Sequence, residues 1–256
     1  MRHILIIGIG AGNPEHMTVQ AIGALNRADI VLIPQKGAEK AELADLRREI
    51  CARYLTNPRT RLVPFDLPQR DAARADYRGG VDDWHAAIAA TYRALLKTHL
   101  AEGGTAALLV WGDPSLYDST LRIVALLRES ADLAIDHTVI PGIASPQALA
   151  ASFRMPLNTI GGAVHITTGR RLAQEGFPDN ADTALVMLDG DLSFRHLAGD
   201  AFDIFWSAYL GMADETVISG RLADVAAQIA ATRADLRRRK GWIMDIYLLR
   251  KRQGVT

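Results

Sequence analysis

The stretch HILIIGIGAGNPEHMT, residues 3–18, decides how this chain folds. Its short aliphatic run, residues 4–7, predicts a buried β-strand, and Gly8, Gly10 and Gly12 follow directly. Glycines after a strand let backbone amides approach a ligand closely, so the motif favours a nucleotide-like cofactor. A tight strand-to-helix turn without any ligand is the alternative interpretation.

This turn does not match the dinucleotide-binding fingerprint. The fingerprint has its third glycine one position later, where this chain has Asn13, followed by Pro14. A proline removes an amide donor at the point where a phosphate-binding helix should begin. The next predicted strand ends in IPQK, residues 33–36, with no acid to hold ribose hydroxyls. We therefore expect neither a nicotinamide enzyme nor the common single-domain methyltransferase fold.

Short aliphatic runs alternate with amphipathic runs along the whole chain, which is typical of mostly parallel sheets covered by helices. The predicted strands are 4–7, 30–33, 106–110, 138–140, 165–167, 183–188, 204–208, 216–219 and 243–249. The predicted helices are 18–27, 40–54, 82–100, 119–128, 145–151, 192–197 and 223–238. The polar stretch 57–80 predicts a long loop, a candidate lid over a bulky ligand. The break at 141–156 predicts a second α/β unit.

Composition excludes several classes of function. The chain has 29 basic and 29 acidic residues, so no global field recruits nucleic acid or a membrane surface. No run is apolar over the roughly 18 residues of a membrane span. The apolar start ends at Gly8 without a signal-peptide cleavage site. The single cysteine, Cys51, suits a reducing compartment, and we expect a cytoplasmic protein without a metal site.

Two further glycine turns follow predicted strands. The strand AALLV runs into WGDPSLYDST, residues 111–120, and VIPGIASPQ, residues 139–147, follows the next strand in the same way. Ligands of open α/β sheets bind at the carboxyl ends of strands, so three such turns predict one cleft. Asp113 can accept hydrogen bonds there and Tyr117 offers a phenol. Alternatively, Asp113 caps the helix predicted to begin near Ser119.

In this order and spacing the three turns resemble those of the tetrapyrrole methylase family, the class III S-adenosylmethionine methyltransferases. The family's first turn reads Gly-x-Gly-x-Gly-Asp-Pro-x-x-Leu-Thr, and its later turns read Gly-Asp-Pro and Pro-Gly-Ile-Thr/Ser. Here Asn13 replaces the usual Asp, Met17 the Leu and Ala144 the Thr. TALVMLDGD and YLGMADETVISGRLADV also resemble later elements of the family.

The resemblance implies two α/β domains with mixed sheets and a homodimer. Residues 1–141 would carry the tetrapyrrole cleft and the first cofactor turns, and residues 142–256 would complete the cofactor site. The segments IPQKGAEKAELADLRREICARY, ADYRGGVDDWHAA and HITTGRRL are similar to the family's deacetylating branch. That branch methylates carbon 1 of precorrin-5 and releases acetate, in cobalamin biosynthesis. Another tetrapyrrole methyltransferase, or a non-catalytic nucleotide-binding module that regulates a partner, is the alternative.

The resemblance also implies the positions around the cofactor, S-adenosyl-L-methionine. They are Pro14, Gly112, Asp113, Leu116, Ala144, Ser145, Met187, Leu188, Tyr209, Leu210 and Ile243. Deacetylation needs a general base for water, and His85, Asp113 and Tyr117 are the candidates. A tetrapyrrole with eight carboxylates calls for cations in predicted loops or at helix starts, and the candidates are Lys36, Lys40, Arg70, Arg78, Arg170 and Arg171. Arg170 and Arg171, just after a predicted strand, are the best placed. A solvated surface charge or a packing residue is the alternative for each of these side chains.

Overall fold

A computed structural model describes residues 1–35, 41–68, 77–129 and 132–252 of the chain. It contains two compact units, Met1–Ala144 and Ser145–Thr256. The sequence predicted this division after residue 141, and the structure places it after Ala144.

The first unit is a five-stranded sheet covered by helices on both faces. Its elements are β1 Arg2–Gly8, α1 Val19–Leu25, β2 Ile30–Gln35, α2 Ala41–Tyr54, β3 Arg61–Asp66, α3 Tyr77–His99, β4 Gly104–Val110, α4 Thr120–Arg128 and β5 Ile135–Ile140. The strand order is β3-β2-β4-β1-β5, and every pairing described is parallel. The expected mixture of strand directions is therefore found in the second sheet only, because each strand of the first unit returns through a helix.

The central strands of this sheet are buried on both faces, as their continuous aliphatic runs require. One core cluster, beneath α1 and α2, contains Leu5, Ile7 and Leu25. The other, beneath α3 and α4, contains Ile4, Ile6 and residues of those two helices. Alternate residues of β1 thus contribute to opposite cores. Because the described strand pairs are parallel, the loops that follow the strands lie at one edge of the sheet.

The prediction of a loop across 57–80 is wrong in part. Residues Arg61–Asp66 form β3, and α3 begins at Tyr77 instead of residue 82. β3 is an edge strand in which only Val63 and Phe65 are buried, and it contains Pro64. Proline is tolerated at a sheet edge, but it hides a strand from pattern reading. The central part of the proposed lid, 69–76, lies outside the described residues.

The second unit holds a mixed five-stranded sheet. Its elements are α5 Ser145–Ser152, β6 Val164–Thr168, α6 Gly169–Glu175, β7 Thr183–Met187, β8 Phe202–Ala208, β9 Thr216–Arg221, α7 Leu222–Lys240 and β10 Asp245–Lys251. The order is β6-β7-β10-β8-β9, with β6 and β7 parallel and the other pairs antiparallel. The predicted helix 192–197 is a short 3-10 helix, Ser193–His196. The sequence did not predict α6.

The two longest helices, α3 and α7, are apolar on one side only. α3 buries Ile88 and Leu96, while α7 buries Leu222 and Ile229 and turns the arginines at 237–239 to solvent. Over the described ranges, we find no helix with both the length and the apolar character that crossing a membrane requires.

Candidate functional site

Three glycine turns meet at the carboxyl edge of the first sheet. A Cβ on Gly8 would lie 2.5 Å from the amide nitrogen of Gly142 and 2.9 Å from the carbonyl oxygen of Gly112. The amide of Gly112 also donates to the carbonyl of Gly10 over 2.8 Å. We call Gly8, Gly10, Gly112 and Gly142 the glycine cluster. The predicted convergence of the three turns is confirmed, and it depends on backbones that approach too closely for side chains.

Asp113 fastens two of these turns together. Its carboxylate accepts hydrogen bonds from the amide of Gly142 over 2.8 Å and from the amide and hydroxyl of Ser115. Burial raises the pKa of Asp113, but the hydrogen bonds from Ser115 and Gly142 outweigh burial, so the pKa lies below its ordinary value. The proposed capping of α4 falls instead to Asp118, which accepts from the amide of Thr120 over 2.6 Å.

The other expected cofactor positions of the first unit lie on or beside the same turns. Pro14 begins a short 3-10 helix, and the side chain of Asn13 accepts the amide two residues on, as the family's usual Asp would. Leu116 is half-buried and Ala144 is buried. Tyr117 is 45% exposed and has a positive φ of 50°. At the sheet edge, these residues thus combine backbone atoms with side chains that are only partly buried.

His85 lies inside the first unit and not on its surface. It is buried on α3, and its Nε2 atom has no hydrogen-bond partner among the described residues. Its ring lies 5.6 Å from that of Trp84, whose indole donates to the carbonyl of Pro68 over 2.8 Å. A buried polar atom without a partner is costly, and the described residues supply none for this ring nitrogen of His85.

In the second unit, the loop after β7 is held by a buried aspartate. Leu188 has a positive φ of 54° and is 68% exposed. The next residue, Asp189, accepts hydrogen bonds from the amide and hydroxyl of Ser193 over 2.7 and 2.9 Å, and from the hydroxyl of Tyr247 over 2.6 Å. A left-handed backbone at a leucine costs on the order of 1 kcal/mol, which these bonds offset. Met187 ends β7 and Leu188 begins this loop, and both are expected cofactor positions.

A buried ion pair supports Asp189 from behind. Arg233 pairs with Asp245 over 2.8 Å and donates to the carbonyl of Asp189 over 3.0 Å. The indole of Trp206 also donates to Asp245. We call Asp189, Ser193, Arg233, Asp245 and Tyr247 the Asp189 network. Burial raises the pKa of Tyr247, and the Asp189 carboxylate raises it further, so this hydroxyl remains a donor. Sequence reasoning missed the network because its members are far apart in the chain.

The remaining expected cofactor positions also lie in the second unit. Ser145 is the first residue of α5, and Ile243 precedes β10 and is half-buried. Tyr209 is buried with a φ of 55°, and its hydroxyl donates to the carbonyl of Trp242 over 2.7 Å. Leu210 is buried as well. The side chains of Tyr209 and Leu210 therefore belong to the core, which leaves only their backbone for the expected cofactor contact.

Two of the expected substrate cations have described side chains. Lys36, Lys40, Arg70 and the side chain of Arg78 lie outside the described residues. Arg170 and Arg171 are in the first turn of α6 and exposed, and Arg171 pairs with Glu175 over 3.0 Å. The surface-charge interpretation of Arg171 therefore gains support. Arg47, which the sequence reasoning passed over as part of a charged helix, lies at the carboxyl edge of the first sheet and donates to a strand carbonyl.

Comparisons with known proteins agree on one family. A family model described as tetrapyrrole (corrin/porphyrin) methylases matches residues 3–226. The chain is 58% identical over 251 residues to precorrin-6A synthase (deacetylating) of Sinorhizobium sp, covering 98% of this chain and 96% of that protein. A cobalamin synthesis related protein (CobF) from Corynebacterium diphtheriae matches in structure with a TM-score of 0.83 at 38% identity, over 98% of this chain and 99% of that one.

A more distant solved structure shares the fold alone. The uroporphyrin-III C-methyl transferase from Thermus thermophilus, complexed with S-adenyl homocysteine, has a TM-score of 0.55 at 19% identity. The match covers 96% of this chain and 91% of that one. The architecture of two α/β units is therefore retained where most of the sequence has changed.

Proposed function

Because the chain belongs to the tetrapyrrole (corrin/porphyrin) methylase family, we propose that it methylates carbon 1 of precorrin-5 and releases the acetyl group as acetate, giving precorrin-6A. The observation that carries this proposal is the 58% identity to precorrin-6A synthase (deacetylating) across nearly the full length of both chains. The chain would thus be a C-methyltransferase of cobalamin biosynthesis. Homodimer formation and a cytoplasmic location stay predictions from the sequence.

The proposed cofactor is S-adenosyl-L-methionine, and the residues present fit it. In the first unit, the glycine cluster leaves the backbone of Gly112 bare of side chains, with Pro14, Leu116 and Ala144 nearby in sequence or on the same edge. In the second unit, the exposed Leu188 fits a nucleoside contact. When bound, the sulfonium supplies an activated methyl group, so the protein has mainly to hold and orient the reacting groups.

Deacetylation asks for a proton acceptor, and the contacts of the three candidates favour His85. Both carboxylate oxygens of Asp113 already accept hydrogen bonds, and its lowered pKa makes it a weak base. Tyr117 is exposed, and a phenol is protonated at neutral pH. The Nε2 atom of His85 has no partner among the described residues. We propose that it takes a proton from the water that adds to the acetyl carbonyl.

That addition is followed by cleavage of the carbon–carbon bond. The acetyl group leaves as acetate, and the electron pair of the broken bond stays on a ring carbon conjugated with the macrocycle. This carbon is electron-rich, so deacetylation before methylation is the chemically sensible order. His85 would hold the proton taken from water while the bond breaks, which makes it a catalytic residue for deacetylation alone.

The test is turnover with precorrin-5 and methyl-labelled S-adenosylmethionine. We expect labelled precorrin-6A and one acetate per methyl group transferred. Methyl transfer to precorrin-3 or precorrin-4 but not to precorrin-5 would overturn the proposed reaction, and no transfer to any precorrin would support a regulatory module instead. For the base, His85→Gln should lose acetate release by about 100-fold or more while S-adenosylhomocysteine still binds. His99→Gln, on the same helix, is the matched control and should keep full activity.

A further inference from the structure

Strands β2 and β4 separate before they reach the carboxyl edge of the first sheet. Their pairing stops at Leu32 and Leu108, while β2 stays paired with β3 to its last residue. Successive carbonyls of a strand point to opposite sides. The carbonyl of Val110 faces β1, where it accepts the amide of Ile9. The carbonyl of Leu109 therefore points into the gap that β2 has left.

Arg47 of α2 fills this gap. Its Nε donates to the carbonyl of Leu109 over 3.0 Å, and its Nη1 donates to the carbonyl of Leu43 over 2.7 Å. The guanidinium is planar, so these two bonds fix the direction of its remaining nitrogen, Nη2. Nη2 makes no hydrogen bond to any residue that the structure describes. The guanidinium of Arg47 is thus held in one orientation by Nε and Nη1, and Nη2 remains available to donate to a ligand.

Arg47 also differs in charge environment from the other arginines of its helix. Arg48 and Arg53 each form an ion pair with a carboxylate at the surface. In the described part of the chain, Arg47 forms no such pair. Burial lowers its pKa, and the electrostatic effects of Tyr92 and Asp118 oppose burial only in part. A partly desolvated cation without a paired anion is costly, and binding an anion would recover that cost.

The position of Arg47 matches the expected ligand edge. The charge of Asp118 acts on Arg47, and Asp118 lies in the same loop as Gly112 and Asp113. Gly112 in turn pairs with Gly10, so Arg47 and the glycine cluster lie at the same end of the first sheet. Ligands of α/β sheets bind outside the carboxyl ends of the strands, at crevices between strands whose connections leave in opposite directions. β2 continues to α2 and β4 to α4, which pack on opposite faces of the sheet.

We propose that Arg47 is a specificity residue that holds one peripheral carboxylate of the tetrapyrrole through Nη2. The inference rests on the proposed function, because it is the macrocycle that brings carboxylates to this edge. Charge-assisted hydrogen bonds of a guanidinium to a carboxylate are strong and directional, and the two backbone bonds hold the fork in place before the substrate arrives. The competing interpretation is that Arg47 only satisfies the Leu109 carbonyl.

Two dissociation constants and one KM test this proposal. They use S-adenosylhomocysteine, uroporphyrin III as a stable macrocycle with eight carboxylates, and precorrin-5 in turnover. For Arg47→Gln we expect the Kd for uroporphyrin III and the KM for precorrin-5 to rise about 10- to 100-fold, with the Kd for S-adenosylhomocysteine unchanged. Arg48→Gln, one residue along and ion-paired at the surface, is the control and should change none of the three.

A second variant separates the two interpretations if Arg47→Gln does not fold. Arg47→Lys keeps the charge, but one ammonium cannot serve both the Leu109 carbonyl and a carboxylate, so we expect a raised KM with kcat retained. A lower melting temperature with unchanged KM in either variant would overturn the proposal. If the wild-type protein bound S-adenosylhomocysteine but neither uroporphyrin III nor precorrin-5, the proposed function itself would be overturned, and the role of Arg47 with it.

Discussion

Asp113 in the first unit and Asp189 in the second each hold a loop in place by accepting hydrogen bonds, but their surroundings differ. Each lies just after a strand and accepts hydrogen bonds from a serine further along its own loop, Ser115 or Ser193. Asp113 is half-buried, and the turns around it are held chiefly by close backbone contacts of the glycine cluster. Asp189 is only 6% exposed and is supported by a buried ion pair.

The difference teaches how two loops can be fixed by opposite means. The turns of the first unit depend on the absence of side chains, because a Cβ on Gly8 or Gly142 would displace a neighbouring backbone. The loop of the second unit depends on buried polar side chains, which must all be satisfied together. Added atoms should therefore damage the first unit, and removed polar groups should damage the second.

The largest expected effect is loss of the buried ion pair. Arg233→Met should lower the free energy of unfolding by about 3–5 kcal/mol, because Asp245 is left as a buried carboxylate without its cation. Urea unfolding measures the change. Arg238→Met, on the same helix but well exposed, should change it by less than about 0.5 kcal/mol. Equal effects of the two substitutions would show that the buried ion pair does not support the loop of Asp189.

A methyl group tests the first unit in the opposite sense. The Cβ of Gly142→Ala would lie 2.8 Å from Gly8 Cα and closer still to the carbonyl of Gly112. We therefore expect the free energy of unfolding to fall by about 1–3 kcal/mol and S-adenosylhomocysteine to bind more weakly. Gly190→Ala, in the loop of Asp189, meets no atom within 4 Å and should be neutral. Calorimetry on both variants makes the comparison, which fails if Gly190→Ala proves the more harmful.

The two serines form a matched pair. Ser193→Ala removes a hydroxyl that donates to the buried Asp189, so the free energy of unfolding should fall by about 1 kcal/mol. Ser115→Ala removes the equivalent donor to Asp113 at an exposed position, where water replaces it, so the change should stay within about 0.5 kcal/mol. Thermal unfolding of both variants measures the difference. A greater loss in Ser115→Ala would reverse our ranking of the two loops.

The smallest effect concerns pH. The folded-state pKa of Asp113 is lowered, so its carboxylate adds stability that is fully present above the ordinary carboxyl pKa of about 4 and is lost as the pH falls through the lowered value. The stability difference between the wild-type protein and Asp113→Asn should therefore shrink below about pH 4. Urea unfolding at several pH values between 7 and 3 tests this. A difference that grows as the pH falls would show that the sign is wrong.

Local patterns in the sequence were enough for most strands and for the glycine turns. Aliphatic runs that are buried on both faces, such as β1 and β4, stand out because burial demands a continuous apolar stretch. β3 escaped because it is an edge strand, so only Val63 and Phe65 needed to be apolar. α6 escaped because it is short and directly follows β6, capped by the side chain of Thr168.

The sequence by itself determined the family, the α/β class and the three turns that converge, because glycine spacing and apolar periodicity are local properties of the chain. Only the tertiary structure revealed what Arg47, His85 and Asp189 contact. Some of their partners, such as Leu109 for Arg47 and Tyr247 for Asp189, are distant in sequence. Whether a polar side chain is solvated, bonded or left without a partner depends on which strands and helices pack around it, and no local pattern contains that information.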